Sequence, residues 1–464
     1  MFIGRKEELE FLDNLYNSDR FEFLILYGRR RIGKTFLLEE FSKSHKTIFF
    51  SAMEKNDAMN LQDFSELVQR FFDGNFIAPF SDWKKAFEYI GTKADNEKVC
   101  LIIDEFPYIA HENPSVKSIL QNQIDKSWKN KNIKLILCGS NISYMEADVM
   151  GQKSPLYGRS TAQWEVKKFG YKDAADFFPN YSLTDKLIAY GILGGIPRYL
   201  AEFDPKKSLK ENIKNKILNP GAFLKEEPLA LLRMEVREPS IYNSILQEVA
   251  SGTNRVSEIA AAIHEEQTKV GKYIKTLLSL RLLVKVAPCT EDSTGKKGIY
   301  KISDNFFNFW YRFEFANRNY YNLIGTDNAV NEIMDNINDY MGLIYESICE
   351  QYLVTQARKG KLPFIPYYLG KWWGNNPVIK AQDDVDILAL NKSKDEGIFC
   401  QCKFKNSKFN TKDFEDVLDS IKIFPSLKNK WIYVFSKTGW TSGVEAMAEE
   451  HNAELISIDD LFRN

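Results

Sequence analysis

Histidine is scarce in this chain: four in 464 residues, namely His45, His111, His264 and His451. None lies at metal-ligand spacing, which excludes the usual structural zinc sites. The six cysteines, Cys100, Cys138, Cys289, Cys349, Cys400 and Cys402, are scattered. Two sit inside apolar strand-like runs, and Cys400 and Cys402 are too close along one strand face for an unstrained bond. Both facts fit reduced thiols used as small hydrophobes. No apolar run approaches the ~18 residues of a membrane span. The opening Met1 to Glu10 is charged from Arg5 onward and lacks the apolar core of a leader, so the expected compartment is the cytoplasm with no membrane partner. Excess charge of one sign is missing too, since 62 Lys+Arg face 63 Asp+Glu. No overall basic field therefore announces a nucleic acid, although a local patch remains open. With 44% hydrophobic and 27% charged residues, disorder and collagen are excluded, and the length suits about three domains.

The strongest positive signal comes early. Phe23 to Tyr27 is an apolar run of strand length, followed by Gly28-Arg29-Arg30-Arg31-Ile32-Gly33-Lys34-Thr35 and a helix-like stretch from Phe36 to Phe41. This is a phosphate loop in its required strand–loop–helix context. Its glycines let backbone amides wrap a phosphate at a helix N-terminus, Lys34 neutralises the β and γ phosphates, and the Thr35 hydroxyl ligates Mg²⁺. A second buried strand, Val99 to Ile103, ends in Asp104-Glu105. There Asp104 is placed to support the metal and Glu105 to polarise the attacking water, so the implied competence is ATP hydrolysis with Mg²⁺. Lys134 to Gly139 reads as a third strand, ending at Ser140-Asn141. With Thr47 to Ala52 and Thr161 to Val166 it completes a sheet of about five strands with helices between, an α/β domain. Arg159, after the turn Pro155 to Gly158, reads either as a transition-state cation, in cis or from another subunit, or as a surface arginine paired to a carboxylate.

Together, Phe2-Ile3-Gly4-Arg5-Lys6-Glu7-Glu8-Leu9, the phosphate loop, Ile103 to Phe106, Gly139 to Asn141, Pro155 to Arg159 and Gly194-Gly195-Ile196-Pro197-Arg198-Tyr199 resemble the archaeal-type AAA ATPases, relatives of the STAND signalling ATPases. That resemblance implies a place beside the adenine for Gly4 and Arg5, a nucleotide-sensing role for Ser140, and a helical-lid turn at Pro197.

From Thr184 to Leu232 the pattern turns helical. Beyond it, Ile241 to Ala250, Val256 to Ile263 and Thr268 to Leu280 read as three helices. Leu282 to Val286 and Gly298 to Ile302 read as a strand pair around the polar hairpin Glu291 to Lys297, which together make a winged helix-turn-helix. Such a unit either binds DNA, through Lys269, Lys272 and Lys275 with Lys296 and Lys297 on the wing, or serves as a protein-contact or lid module. The aromatic run Phe306 to Phe313 fits a core better than base stacking.

After Asp335 the order is helix (Met341 to Thr355), Phe364 to Trp373, strand (Asp384 to Leu390), strand (Gly397 to Phe404), helix, strand, helix, strand. This order resembles the PD-(D/E)xK nuclease-like fold. Gln401 and Lys403 share a strand face and are expected to converge with Asp386 on a metal and a scissile phosphate. Gln401 stands where an acidic ligand is usual, which weakens Mg²⁺ binding; Glu346 is placed to supply the missing carboxylate. The same pattern suits a nuclease fold retained for docking. This C-terminal unit also matches a domain that often accompanies the archaeal-type ATPases.

The organisation expected is α/β multidomain: residues 1–175 a P-loop ATPase core, 176–238 a helical lid, 239–335 a winged-helix module and linker, and 336–464 a restriction-endonuclease-like domain. ATP state would control action on DNA or RNA. The alternative is a non-cleaving signalling or scaffold ATPase with a protein partner or a homo-oligomeric assembly.

Overall fold

In the computed structural model the described residues are 2–291, 298–376 and 380–463. They fall into two compact units, one of residues 1–168 with 196–198, the other of 169–195 with 199–464.

The first unit is built on five strands, β1 (Glu22–Tyr27), β2 (Ile48–Ser51), β3 (Val99–Asp104), β4 (Ile133–Gly139) and β5 (Ala162–Glu165). Their order across the sheet is β2-β3-β4-β1-β5, every pairing parallel. Parallel strands covered on both faces must be apolar throughout, and β3 and β4 are buried at every position. The helices that cover them are α1 (Lys6–Asn17), α2 (Lys34–Ser44), α3 (Asp57–Asp73), α4 (Trp83–Lys93), α5 (Phe106–Glu112) and α6 (Ser115–Lys126). Asn56 and Asp82 cap α3 and α4 by accepting from backbone amides of the first turn. Phe64, Phe87, Trp83 and Trp128 fill the core against Phe50, Leu101 and Leu135. In such a sheet the carboxyl ends of the strands, where chain order reverses, form the ligand crevice. Here β1 and β3 end there, at the phosphate loop and at Asp104.

The second unit begins with helices. Pro239–Ala250, Val256–Ala262 and Gln267–Ser279 are followed by an antiparallel ribbon of β6 (Leu283–Val286) and β7 (Ile299–Ile302). Lys296 and Lys297 lie outside the described residues. Phe306, Phe307, Phe309, Trp310 and Tyr311 are fully buried, so the aromatic run is core. The long helix Ile337–Arg358 leads into a mixed sheet of β8 (Tyr368–Asn376), β9 (Ala381–Leu390), β10 (Glu396–Lys403), β11 (Asn429–Ser436) and β12 (Glu454–Ser457), in the order β12-β11-β10-β9-β8. Strands β10, β11 and β12 are parallel; β9 runs antiparallel to β10 and to β8. Trp372 packs on Phe424 within a core that includes Val385, Phe399 and Phe414, so it closes the interior rather than lining a surface. Between β8 and β9 the register moves from Gly370 opposite Leu388 to Trp372 opposite Val385. Strand β9 thus uses one residue more than β8 in this interval, a bulge that contains Asp386 and faces Lys371. Among the described residues no helix is long and apolar enough to cross a membrane.

Candidate functional site

The loop after β1 is shaped by two glycines for different reasons. A Cβ on Gly28 would lie 2.6 Å from the Val166 carbonyl oxygen, and Gly33 sits at φ +87° at the start of α2. The first is a close backbone approach, the second a left-handed turn that only glycine enters freely. Arg31 also holds a positive φ, 69°, and such strain concentrates where a loop must present its amides. Lys34 is only 5% exposed, and its ammonium donates to the carbonyls of Gly28 at 2.9 Å and Arg29 at 3.2 Å. Burial pushes its pKa down, opposed by Asp104 and Glu105.

Two carboxylates meet this loop from the end of β3. The Thr35 hydroxyl donates to Asp104 Oδ2 at 2.6 Å, so a hydroxyl and a buried carboxylate converge beside the lysine. A hydroxyl and a carboxylate are oxygen donors of the kind Mg²⁺ takes, so these residues fit that ion. Glu105 has φ 51° at the N-terminal boundary of α5, and its side chain does not cap that helix. Its Oε2 accepts from the Ser140 hydroxyl at 3.0 Å and the Ser140 amide at 3.3 Å, which joins the end of β3 to the end of β4.

Gly4 and Arg5 both have positive φ, and Arg5 precedes α1. The buried Arg5 guanidinium donates to the carbonyls of Ile32 at 3.0 Å and Lys167 at 2.7 Å and to Glu8 at 2.8 Å. It therefore clamps the N-terminal segment to the phosphate loop, a tie with no trace in local spacing. Phe36 is half exposed on α2 with its ring 5.5 Å from Phe2. Pro197 lies beside Gly33, 3.8 Å from where that residue's Cβ would stand. Arg159 is held by Asp125 through contacts of 2.8 and 3.1 Å and by the carbonyls of Pro155 and Tyr157, the carboxylate-paired arrangement.

In the second unit Val270, Ile274 and Leu277 bury one face of helix Gln267–Ser279, and Lys269 on that helix pairs with Glu265 at 2.9 Å.

The C-terminal sheet brings together only part of the expected constellation. Asp386 Oδ2 accepts from the Cys402 amide at 2.8 Å, between Gln401 and Lys403, and Lys403 lies close enough to favour its charged form. Glu346, from helix Ile337–Arg358, faces the same carboxylate. A residue outside the expected set occupies the space: the Lys371 ammonium lies 3.0 Å from Glu346 Oε1, 3.0 Å from Asp384 Oδ2 and 3.8 Å from Asp386 Oδ1. Burial raises the Glu346 pKa to about 7 in spite of that lysine and also raises that of Asp386. Among the described residues no three His, Cys, Asp or Glu side chains are grouped to hold a metal ion. The residues at this place do not fit Mg²⁺, which wants near-octahedral oxygens and not an ammonium.

Known proteins resemble this chain in both its ATPase part and its C-terminal part. A family model described as an ATPase domain predominantly from Archaea matches residues 2–203, and one described as archaeal and bacterial proteins of unknown function matches residues 310–417. An uncharacterized protein of Methanocaldococcus jannaschii is 32% identical over 411 residues, 88% of each chain. An uncharacterized ATP-binding protein of the same archaeon is 52% identical over 46 residues, 10% of this chain and 78% of that one. Among solved structures the Walker-type ATPase of Pyrococcus abyssi superposes with a TM-score of 0.52 at 20% identity, covering 67% of this chain and 96% of that one, a likeness of fold.

Proposed function

Because the chain belongs to the archaeal P-loop ATPase family, with an ATPase domain followed by a C-terminal domain of unknown function, we propose that it binds ATP with Mg²⁺ and hydrolyses it. The observation that carries this reading is the convergence of Lys34, Thr35 and Asp104 at the carboxyl ends of β1 and β3, with the Thr35 hydroxyl 2.6 Å from the Asp104 carboxylate. In this reading Lys34 exchanges the carbonyls of Gly28 and Arg29 for β and γ phosphate oxygens, while Thr35 and Asp104 hold the metal. The bound ion supplies charge neutralisation for the phosphates. Glu105 orients and deprotonates water, and for that its carboxylate must leave the two Ser140 donors that now hold it. Ser140 is then free to hydrogen-bond the γ-phosphate. Arg5 and Gly4 shape the adenine side with Phe36, and Pro197 closes on Gly33. Phosphate release and nucleotide binding by the purified chain test the reading: Lys34→Ala should weaken binding, and Glu105→Gln should retain binding and lose turnover.

The second unit is read as the part that ATP state controls, through differential affinity of two conformations for ATP and ADP. Helices Pro239–Ala250, Val256–Ala262 and Gln267–Ser279 with the β6–β7 ribbon support a winged helix. The helix Ile337–Arg358 and its mixed sheet support a nuclease-like fold. Between cutting nucleic acid and docking a partner, the Lys371 ammonium among the acids favours docking. Labelled single- and double-stranded DNA and RNA with Mg²⁺, with and without ATP, should stay intact; cleavage abolished by Asp386→Ala would restore the nuclease reading.

A further inference from the structure

The acidic cluster of the C-terminal sheet is drawn from three successive elements. Helix Ile337–Arg358 brings Glu346, β9 brings Asp384 and Asp386, and β8 brings Lys371. Glu346 and Asp386 are largely withdrawn from water, at 15% and 12% side-chain exposure. A buried carboxylate requires a partner, and each of these has one. Lys371 spans Glu346 and Asp384 at 3.0 Å apiece and reaches Asp386 Oδ1 at 3.8 Å, while the other oxygen of Asp386 takes the Cys402 amide. Two further lysines face the group: Lys301 of β7 toward Glu346, Glu350 and Asp384, and Lys403 of β10 toward Asp386. The backbone joins in, since the Lys371 carbonyl accepts from the Cys289 amide at 3.0 Å, tying the segment after β6 to β8.

We propose that Lys371 is the resident cation of this cluster, filling the place a divalent metal would take among Glu346, Asp384 and Asp386, so that the C-terminal domain is assembled without metal. A divalent ion needs about six oxygens at ~2.0–2.6 Å, several of them anionic and free to turn inward. Here the anionic oxygens nearest one another already lie around an ammonium. The lysine does not step aside by losing its proton, because although burial lowers its pKa, Glu346, Asp384 and Asp386 together hold it above the ordinary lysine value. The neutral Gln401 adds no charge to compete with it. What remains is a staple: one side chain joins the long helix to the bulge of β9, and its own backbone carries the ribbon segment.

The experiment reads metal binding directly and without nucleotide, so its outcome is independent of the ATPase reading. Full-length chain carrying Thr35→Ala, which removes the phosphate-loop hydroxyl, is titrated with Mn²⁺ alone, free Mn²⁺ being followed by electron paramagnetic resonance. No binding sensitive to Asp386→Asn is expected up to about 1 mM, the weak end for oxygen-ligand sites. Adding Lys371→Met should create one Mn²⁺ site, tighter than any in the parent by about tenfold or more and abolished by Asp386→Asn. Lys371→Gln, of similar length and still a hydrogen-bond donor, should give the same gain and serves if the methionine variant fails to fold. An Asp386-dependent Mn²⁺ site in the parent would overturn the proposal. So would a Lys371 variant with unaltered circular dichroism that gains no site.

Discussion

Replacing Glu346 by glutamine should change how stability depends on pH. Glu346 is mostly buried, 15% exposed in its side chain, and faces Lys371 and Lys301 as well as the like charge of Asp386. Desolvation outweighs the lysines and holds its pKa up at about 7 instead of the ordinary 4.5. The folded form therefore binds this proton more tightly than the unfolded form. Between those two values the native state carries the proton and the unfolded chain does not, so unfolding free energy falls as pH rises, by about 1.4 kcal/mol per unit. The contribution is complete below the unfolded value and gone once pH has passed through the folded one, about 3 kcal/mol in all. Urea unfolding of the wild type and of Glu346→Gln, followed by tryptophan fluorescence from pH 4.5 to 8, checks it. The difference between the two proteins largely cancels titrations remote from Glu346 and should decline by roughly that amount toward pH 8, with its midpoint below neutrality. Parallel curves would refute the reasoning, because they would place Glu346 in water.

Lys34→Ala should weaken ATP binding by roughly 10- to 100-fold, the value of charge-assisted hydrogen bonds to phosphate, measured with a fluorescent nucleotide. Glu105→Gln should bind ATP as the wild type does and lose about 10²- to 10⁴-fold in phosphate release; a small loss would mean that Glu105 is not the base. Gly28→Ala should lower the melting temperature and impair nucleotide binding together, since the added Cβ meets the Val166 carbonyl oxygen at 2.6 Å and that oxygen is main chain. Asp125→Asn should cost at most about 1 kcal/mol, as exposed ion pairs do, because Arg159 retains the Pro155 and Tyr157 carbonyls; thermal melting decides.

The nucleotide half was legible because its chemistry is local. Gly28 to Thr35 are consecutive, and the strand that carries Asp104 is an unbroken apolar run, buried at every residue. A parallel sheet covered on both faces leaves that mark on its strands whatever the loops do. The parts less legible there are long-range ties: Arg5 to the Ile32 and Lys167 carbonyls, and Arg159 to Asp125 across 34 residues. For Arg159 the spacing admitted two readings equally well, and the partner it has in the fold, Asp125, could not be named from it.

The C-terminal site eluded sequence for a different reason. Period-two alternation correctly puts Gln401 and Lys403 on one face of β10, and it brings Asp386 toward them through the Cys402 amide. Alternation assumes an unbroken ladder, however, and the β8–β9 pairing contains a bulge where Gly370–Trp372 meets Val385–Leu388. At that irregularity Lys371 and Asp386 face each other, and the lysine takes carboxylates from 25 residues before it and 13 and 15 after it. Nothing in the string Gly370-Lys371-Trp372 distinguishes such a lysine from one on a solvated edge. A motif of acid, glutamine and lysine can thus be intact along the chain while the space it encloses is filled from a neighbouring strand.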